Sequence, residues 1–320
     1  MTSDRTVLVA DIGGTNTRVA LAHSGGVDRA TIRRYANAQH SGIEEVLNHF
    51  LAETGATGLS AACIAAAGPV RDGVARLTNL DWVIDPARIA PTTGIAHVAV
   101  LNDLQAQGYA LGHVDPDSLR PLVTARAPRA GSVRLVVGVG TGFNAAPVHD
   151  MGATRLVGAS ECGHMSLPVH SEHDLQLRRF VEVAHGFAGV EDVLSGRGLV
   201  RLHDFHCQKA GRKGGADAAS IMQSMQAGDP VAEATGQDFV RILGNVVGDL
   251  ALVHLPFGGI YLIGGVARAF TAHYDHFGLG QAFRDKGRFA EFMDAFGLWI
   301  IEDDYAALEG CAQYLRETAE

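Results

Sequence analysis

A chain of 320 residues, 47% of them hydrophobic, is long enough for one large domain or two ordinary ones with a sizeable core. A net charge of −9 without a long basic run speaks against nucleic acid as a partner. No apolar stretch reaches the roughly 18 residues of a membrane helix, and no signal-peptide pattern opens the chain, so a cytoplasmic protein with no membrane contact is expected.

In chain order, residues 7–21 read as strand, tight turn (Gly13-Gly14-Thr15-Asn16) and strand. Ser41 and Glu44 form a capping-box pattern before a helix whose buried face carries Ile43, Val46, Leu47, Phe50 and Leu51, with Gly55 as its stop. The small-residue run 61–67 reads as a central strand, and Asp72-Gly73 as a hairpin turn. Ile95 to Leu101 reads as another strand, with Asn102-Asp103 at its C-terminal end and a helix after it; residues 113–132 read as a linking region. A second hairpin, 134–148, turns at Gly138-Val-Gly140-Thr141-Gly142 and leads to the polar turn 159–164. Helical regions are expected near 172–185 and 190–208, then a loop over 208–219. Asp229-Pro230 opens a helix with Val240, Leu243, Val247 and Leu250 on one face. Tyr261–Ile263 is a strand running into Gly264-Gly265, followed by a strand at Leu298–Ile301 and a helix over 305–316. Two similar halves of mixed strands and helices point to an α/β architecture.

Glycine, at 39 residues or about 12% against a usual value of about 7%, is in excess where tight turns and close backbone approach are needed. In both glycine turns backbone amides can converge on an anion such as phosphate. The second lacks the following helix of a dinucleotide fingerprint, and no Walker A loop occurs in the chain. Asp11, where the first strand ends, is placed to hold a hydrated Mg²⁺ beside phosphate, although Asp and Asn are also ordinary turn formers. At the Asn102-Asp103 junction one residue reads as a helix cap, and Asp103 also as a general base at a strand's C-terminal end. Glu161 and His164 can fork onto sugar hydroxyls or stand in a solvated loop. Glu191 reads by periodicity as an exposed helix charge. The scattered Cys63, Cys162, Cys207 and Cys311 read as reduced thiols, with no CxxC pair for a zinc site.

These landmarks, in order, resemble the bacterial glucokinases of the hexokinase-like, actin-related ATPase superfamily. The resemblance spans essentially the whole chain: Asp11-x-Gly-Gly-Thr-Asn-x-Arg18, Leu77-Thr-Asn79-x-x-Trp82, Asn102-Asp103, Gly138-x-Gly-Thr-Gly142, Glu161-x-Gly-His164, Glu191-x-Val-Leu-Ser-Gly-x-Gly-Leu199, Gly264-Gly265 and Asp285-Lys-Gly-Arg-Phe289. It implies a two-domain actin-like (ribonuclease H-like) α/β fold with a cleft between the domains: a smaller domain of residues 1–110 plus 302–320 and a larger one of 111–301. It implies transfer of the ATP γ-phosphoryl group to the 6-hydroxyl of glucose, with Asp103 as base and Asn79, Asn102, Glu161, His164 and Glu191 on the sugar. Asp11, Gly13, Gly14, Thr15 and Asn16 would lie by Mg²⁺ and phosphate, with Mg²⁺ held through water. Gly140, Thr141 and Gly142 would cradle phosphate, and Gly264 and Gly265 would border the adenosine. Relatives are often homodimers. After His164 only Cys207 and Cys311 remain, which fits the zinc-free branch. Many relatives carry glycine where this chain has Asn144, Ser160 and Cys162, which bears on sugar preference. A kinase for another hexose and a non-catalytic sugar-sensing protein are the alternative readings.

Overall fold

The computed structural model describes residues 5–77, 80–125, 131–152 and 154–318. β1 (Val7–Ile12) and β2 (Asn16–His23) form the first hairpin, followed by β3 (Gly26–Val27), β4 (Arg33–Ala36), α1 (Ile43–Thr54) and β5 (Ala61–Ala66). A small antiparallel sheet of β6 (Val70–Arg71), β7 (Val74–Arg76) and β8 (Val83–Ile84) comes next, its first turn made by Asp72 and Gly73, both with positive φ. Then come α2 (Pro86–Thr93), β9 (His97–Asn102) and α3 (Asp103–Ala110). The middle of the chain holds β10 (Leu119–Val123), β11 (Arg134–Val139), β12 (Phe143–Met151), β13 (Thr154–Val157), α4 (Glu172–His185), α5 (Gly196–Lys209), α6 (Ala218–Gln226) and α7 (Pro230–His254). β14 (Ile260–Ile263), α8 (Gly265–Ala269), α9 (Leu279–Arg284), β15 (Leu298–Ile301) and α10 (Ala306–Thr318) complete it. No helix among the described residues is long and apolar enough to cross a membrane.

The chain divides into two compact units: Met1–Pro116 with Asp150–Ala159 and Asp303–Glu320, and Asp117–His149 with Ser160–Glu302. The division departs from the expected boundaries at residues 111–116, 150–159 and 302. Arg155 accounts for the second departure. Its Nη1 donates to the carbonyls of Gly108, Tyr109 and Leu111 at the end of α3, and the Tyr109 hydroxyl donates back to the Arg155 carbonyl.

In the first unit the sheet runs β3-β2-β1-β5-β9, with β4 also on β2. β1, β5 and β9 are parallel, and the register aligns Asp11 with Ala65 and Ala65 with Leu101. Leu8, Ala10, Ile12, Ile64, Val46, Leu47 and Phe50 form its core with no exposure. α10 crosses α3 so closely that a Cβ on Gly310 would strike the Ala106 carbonyl. In the second unit the order is β10-β15-β14-β11-β12, with β11, β14 and β15 parallel. α7 lies at the centre of its helical layer, burying Phe239, Val240, Leu243 and Val247 completely. Asp229 caps α7 with Pro230 at its first position, as its sequence implies.

Several local expectations need correction. Ser41 pairs with Glu45, not Glu44: its N–H and Oγ both donate to Glu45 Oε2, at 2.7 and 2.8 Å, and Gly42 is the N-cap. β9 begins two residues after Ile95 and ends on Asn102. The linking region contains β10, which takes the edge beside β15, where the missing N–H of Pro121 is tolerated. Residues 190–195 are turn, with α5 starting at Gly196, and the end of the expected 208–219 loop is the start of α6.

Candidate active site

In the first unit the acidic groups gather at the C-terminal edge of the parallel strands, where open α/β sheets place their sites. Asp11 is the penultimate residue of β1, and Asn102-Asp103 straddle the end of β9 and the start of α3. The capping reading holds for Asn102. Its Oδ1 accepts from Leu104 N–H at 3.0 Å, and Gln105 Oε1 closes the capping box on the Asn102 N–H at 3.1 Å. Asn102 Nδ2 donates to the Gly68 carbonyl at 3.0 Å, tying the helix start to the turn after β5. Gly68 is needed there, because a Cβ would lie 2.8 Å from the Arg76 carbonyl oxygen.

The Asp103 carboxyl is pushed up to about 6. Burial is the main cause, and the negative charge of Asp11 adds to it, while a 2.9 Å hydrogen bond from Leu104 N–H works in the opposite direction. Asp11 is also raised by burial, against the pull of Arg18, whose Nη1 lies 3.1 Å from Asp11 Oδ2. The Gly13–Asn16 turn is closed by Gly13 N–H on the Asn16 carbonyl at 3.0 Å. Asn37, a buried residue with no signal in the sequence, pins it. It donates to the Gly13 carbonyl from its side chain at 2.8 Å and to the Thr15 carbonyl from its N–H at 2.9 Å. Gly14 and Thr15 at the tip are exposed.

In the second unit the structure brings the glycine turn and the polar residues together. Phe143 N–H donates to Glu191 Oε2 at 3.0 Å, so Glu191 reaches the residue after Gly142. Glu191 is therefore no helix-surface charge. It lies on the turn before α5, its N–H donating to the Gly163 carbonyl at 2.9 Å and its Oε1 3.5 Å from Arg197. A Cβ on Gly142 would strike the Glu191 carboxylate, and one on Gly163 the Phe143 carbonyl. Gly140 donates to the Gly142 carbonyl and accepts from Gly196 N–H at 2.8 Å, anchoring the turn to the start of α5. Gly264, at φ 102°, packs so close to Val139 that a Cβ would meet that residue's carbonyl. Glu161 precedes a short 3₁₀ turn, Cys162–His164, of which His164 is the last residue, and both are exposed while Cys162 and Gly163 between them are buried. Asn79 lies outside the described residues.

A third cluster had no sequence signal, because its members come from three helices. His173 on α4 and His206 on α5 both face Asp238 Oδ2 on α7, the latter at 2.9 Å. Beside it lies a pocket of about 810 Å³ lined by residues including His173, Gln237 and Arg241. The residue types suit a metal, but the hydrogen bonding closes the set. Lys209 Nζ sits 3.0 Å from His173 Nδ1, and as an ammonium it can only donate, so Nε2 carries the proton towards Asp238. Arg241 takes Asp238 Oδ1 at 2.9 Å and Asp174 at 2.6 Å. Burial alone would raise the Asp238 carboxyl, but hydrogen bonds from His206, His173 and Arg241 hold it far below its usual range. It is an ion-pair knot that ties α4, α5 and α7 together.

The sequence matches the family model described as Glucokinase over residues 8–318. The chain belongs to the glucokinase family. It is 32% identical over 312 residues to the glucokinase of Chromohalobacter salexigens, with 97% of this chain and 98% of that one covered. It superposes on the glucokinase of an Antarctic psychrotroph with a TM-score of 0.86 at 28% identity, covering 98% of this chain and 99% of the other. With the Balamuthia mandrillaris glucokinase, solved in complex with glucose, the TM-score is 0.81 at 19% identity, with coverage of 98% and 95%. The fold is thus the two-domain actin-like ATPase fold of these sugar kinases.

Proposed function

We propose that this member of the family transfers the γ-phosphoryl group of ATP to the 6-hydroxyl of glucose, with Asp103 as general base. The observation that carries the proposal is the Asp103 carboxyl itself. It stands at the C-terminal end of a parallel strand, raised to about 6 by burial and by Asp11. A base near that value is ionised at neutral pH and still basic enough to take a proton as the hydroxyl attacks phosphorus. Asn102 holds Asp103 in place through the helix cap and, with Asn79, Glu161, His164 and Glu191, fixes the remaining sugar hydroxyls. The two glycine turns present backbone N–H groups to phosphate, and Gly264 and Gly265 border the nucleotide.

Asp11 suits a hydrated Mg²⁺. It is a hard oxygen donor whose buried charge is only partly offset by Arg18, as its raised carboxyl shows. When bound there, Mg²⁺ supplies charge neutralisation at the phosphates. No zinc requirement is proposed, since the four cysteines are scattered along the chain with no CxxC pair. Buried free thiols also fit the reducing cytoplasm. A homodimer completes the proposal, and light scattering on the purified protein tests it.

A coupled assay with glucose, ATP and Mg²⁺, with sugars and phosphoryl donors swapped in turn, tests the function. Turnover highest with glucose and ATP is expected. Absence of hexose phosphorylation under every combination would overturn the proposal in favour of a sugar-sensing protein.

A further inference from the structure

Asn144, Ser160 and Cys162 form one hydrogen-bonded knot. Asn144 lies on β12, two residues after Gly142 in the glycine turn. Its Oδ1 faces four groups: Ala145 N–H at 2.9 Å, Ser160 Oγ at 2.9 Å, Cys162 N–H at 3.1 Å and Cys162 Sγ at 3.4 Å. The two backbone donors fix the amide orientation, because a flipped Asn144 would set its NH₂ against both N–H groups. Nδ2 then donates to the Ser160 carbonyl and stands 3.5 Å from Glu161 Oε2. Ser160 Oγ lies 2.6 Å from the Ala145 carbonyl as well, so its single proton is shared between two acceptors on the same strand. Burial pushes the Cys162 thiol up, so it stays protonated and able to donate at neutral pH.

Glu161 is exposed, yet the residues on both sides of it hang on one side-chain amide, and that amide also reaches its carboxylate. With glycine at these positions no side chain would be present to make these ties. We propose that Asn144, together with Ser160 and Cys162, is a positioning residue that fixes the Glu161 carboxylate and so sets the discrimination between hexose epimers. The inference rests on Glu161 being a sugar contact. A carboxylate held in one place accepts a hydroxyl of one configuration and leaves the epimer's hydroxyl badly paired, which is how polar sites discriminate. A carboxylate free to move follows either epimer.

The test is Asn144→Ala in the full chain, with KM and kcat measured for glucose, its 2-epimer mannose and its 4-epimer galactose. We expect the glucose KM to rise about tenfold, with the preference for glucose over its best epimer falling by a similar factor and the KM for ATP nearly unchanged. Ser160→Ala should shift the same ratio in the same direction by less, and Ser160→Thr, which keeps the hydroxyl, should restore it. A folded Asn144→Ala enzyme with the wild-type epimer ratio overturns the inference. If Asn144→Ala does not fold, an unchanged ratio in Ser160→Ala overturns it instead. A wild-type protein that phosphorylates no hexose is a different outcome, which removes the function on which the inference rests.

Discussion

The two units use different chemistry at their candidate sites. In the first, the groups of interest are carboxylates that the fold raises above their usual range by burying them, Asp11 and Asp103. In the second, they are backbone amides and exposed polar side chains held in place by close packing, with glycines at the contacts where a Cβ would collide: Gly142, Gly163 and Gly264. A buried charge costs stability and yields reactivity. A tight turn yields geometry and tolerates no added atom. Substitutions should therefore separate activity from stability in the first unit and damage both together in the second.

The largest separation is expected at Asp103. Asp103→Asn keeps the shape and the helix start, since Asn102 does the capping, but removes the base. Turnover should fall about 10³-fold, within the range of general-base losses, while the melting temperature rises because a buried charge has gone. The stabilisation should be about 1–2 kcal/mol, allowing for solvent screening. A kinetic assay and a thermal melt on the same sample check both halves, and turnover near wild type would remove Asp103 from its role.

Gly163→Ala is the counterpart in the second unit. The new methyl would meet the Phe143 carbonyl, whose N–H side also holds Glu191. Something must shift, at a cost of about 1–3 kcal/mol, and Glu191 and the glycine turn shift with it. We expect lower Tm and lower kcat/KM together. Loss of activity with unchanged Tm would contradict the packing account.

How much of this was legible in the sequence follows the same divide. The elements of the first unit's site are local. The strand ending at Asp11, the Asn102-Asp103 junction and the Asp72-Gly73 hairpin each announce themselves within a few residues, by alternation or by turn chemistry. In the second unit, periodicity alone makes Glu191 a helix charge and only the resemblance places it on the sugar, because its partner lies 48 residues away, at the Phe143 N–H. Asn37 is mute in the sequence, clamping a turn 24 residues away, and Asn144 stands out there only through the resemblance, not through the knot it ties to Ser160 and Cys162. β10 was hidden by Pro121, which an edge position allows. Periodicity reports which face is buried, not which loop a side chain will meet.

Arg155 offers a smaller test, on stability alone. Its guanidinium serves three carbonyls at the end of α3 and pairs with Asp150 at 2.8 Å. Arg155→Ala should cost about 1.5–3 kcal/mol, the range for hydrogen bonds to a charged group, and should leave the glucose and ATP KM values unchanged. A denaturant melt with parallel kinetics reads both.

The subtlest effect is the pH dependence that Asp103 gives the first unit. Its folded-state value of about 6 lies above the value near 4 of an unfolded Asp. Between those limits the folded chain binds more protons than the unfolded one, so this group's contribution to stability is full below about 4 and is lost as pH rises through about 6. Activity runs the other way, because only the ionised carboxylate accepts a proton, so kcat/KM should climb with pH to a plateau above about 6. The two profiles should therefore cross with opposite slopes over the same window. Asp103→Asn should abolish that component of the stability profile while leaving the contributions of the other carboxylates, such as Asp238, in place. If the slope of stability against pH is the same in both proteins, the raised Asp103 carboxyl is not what couples the two profiles.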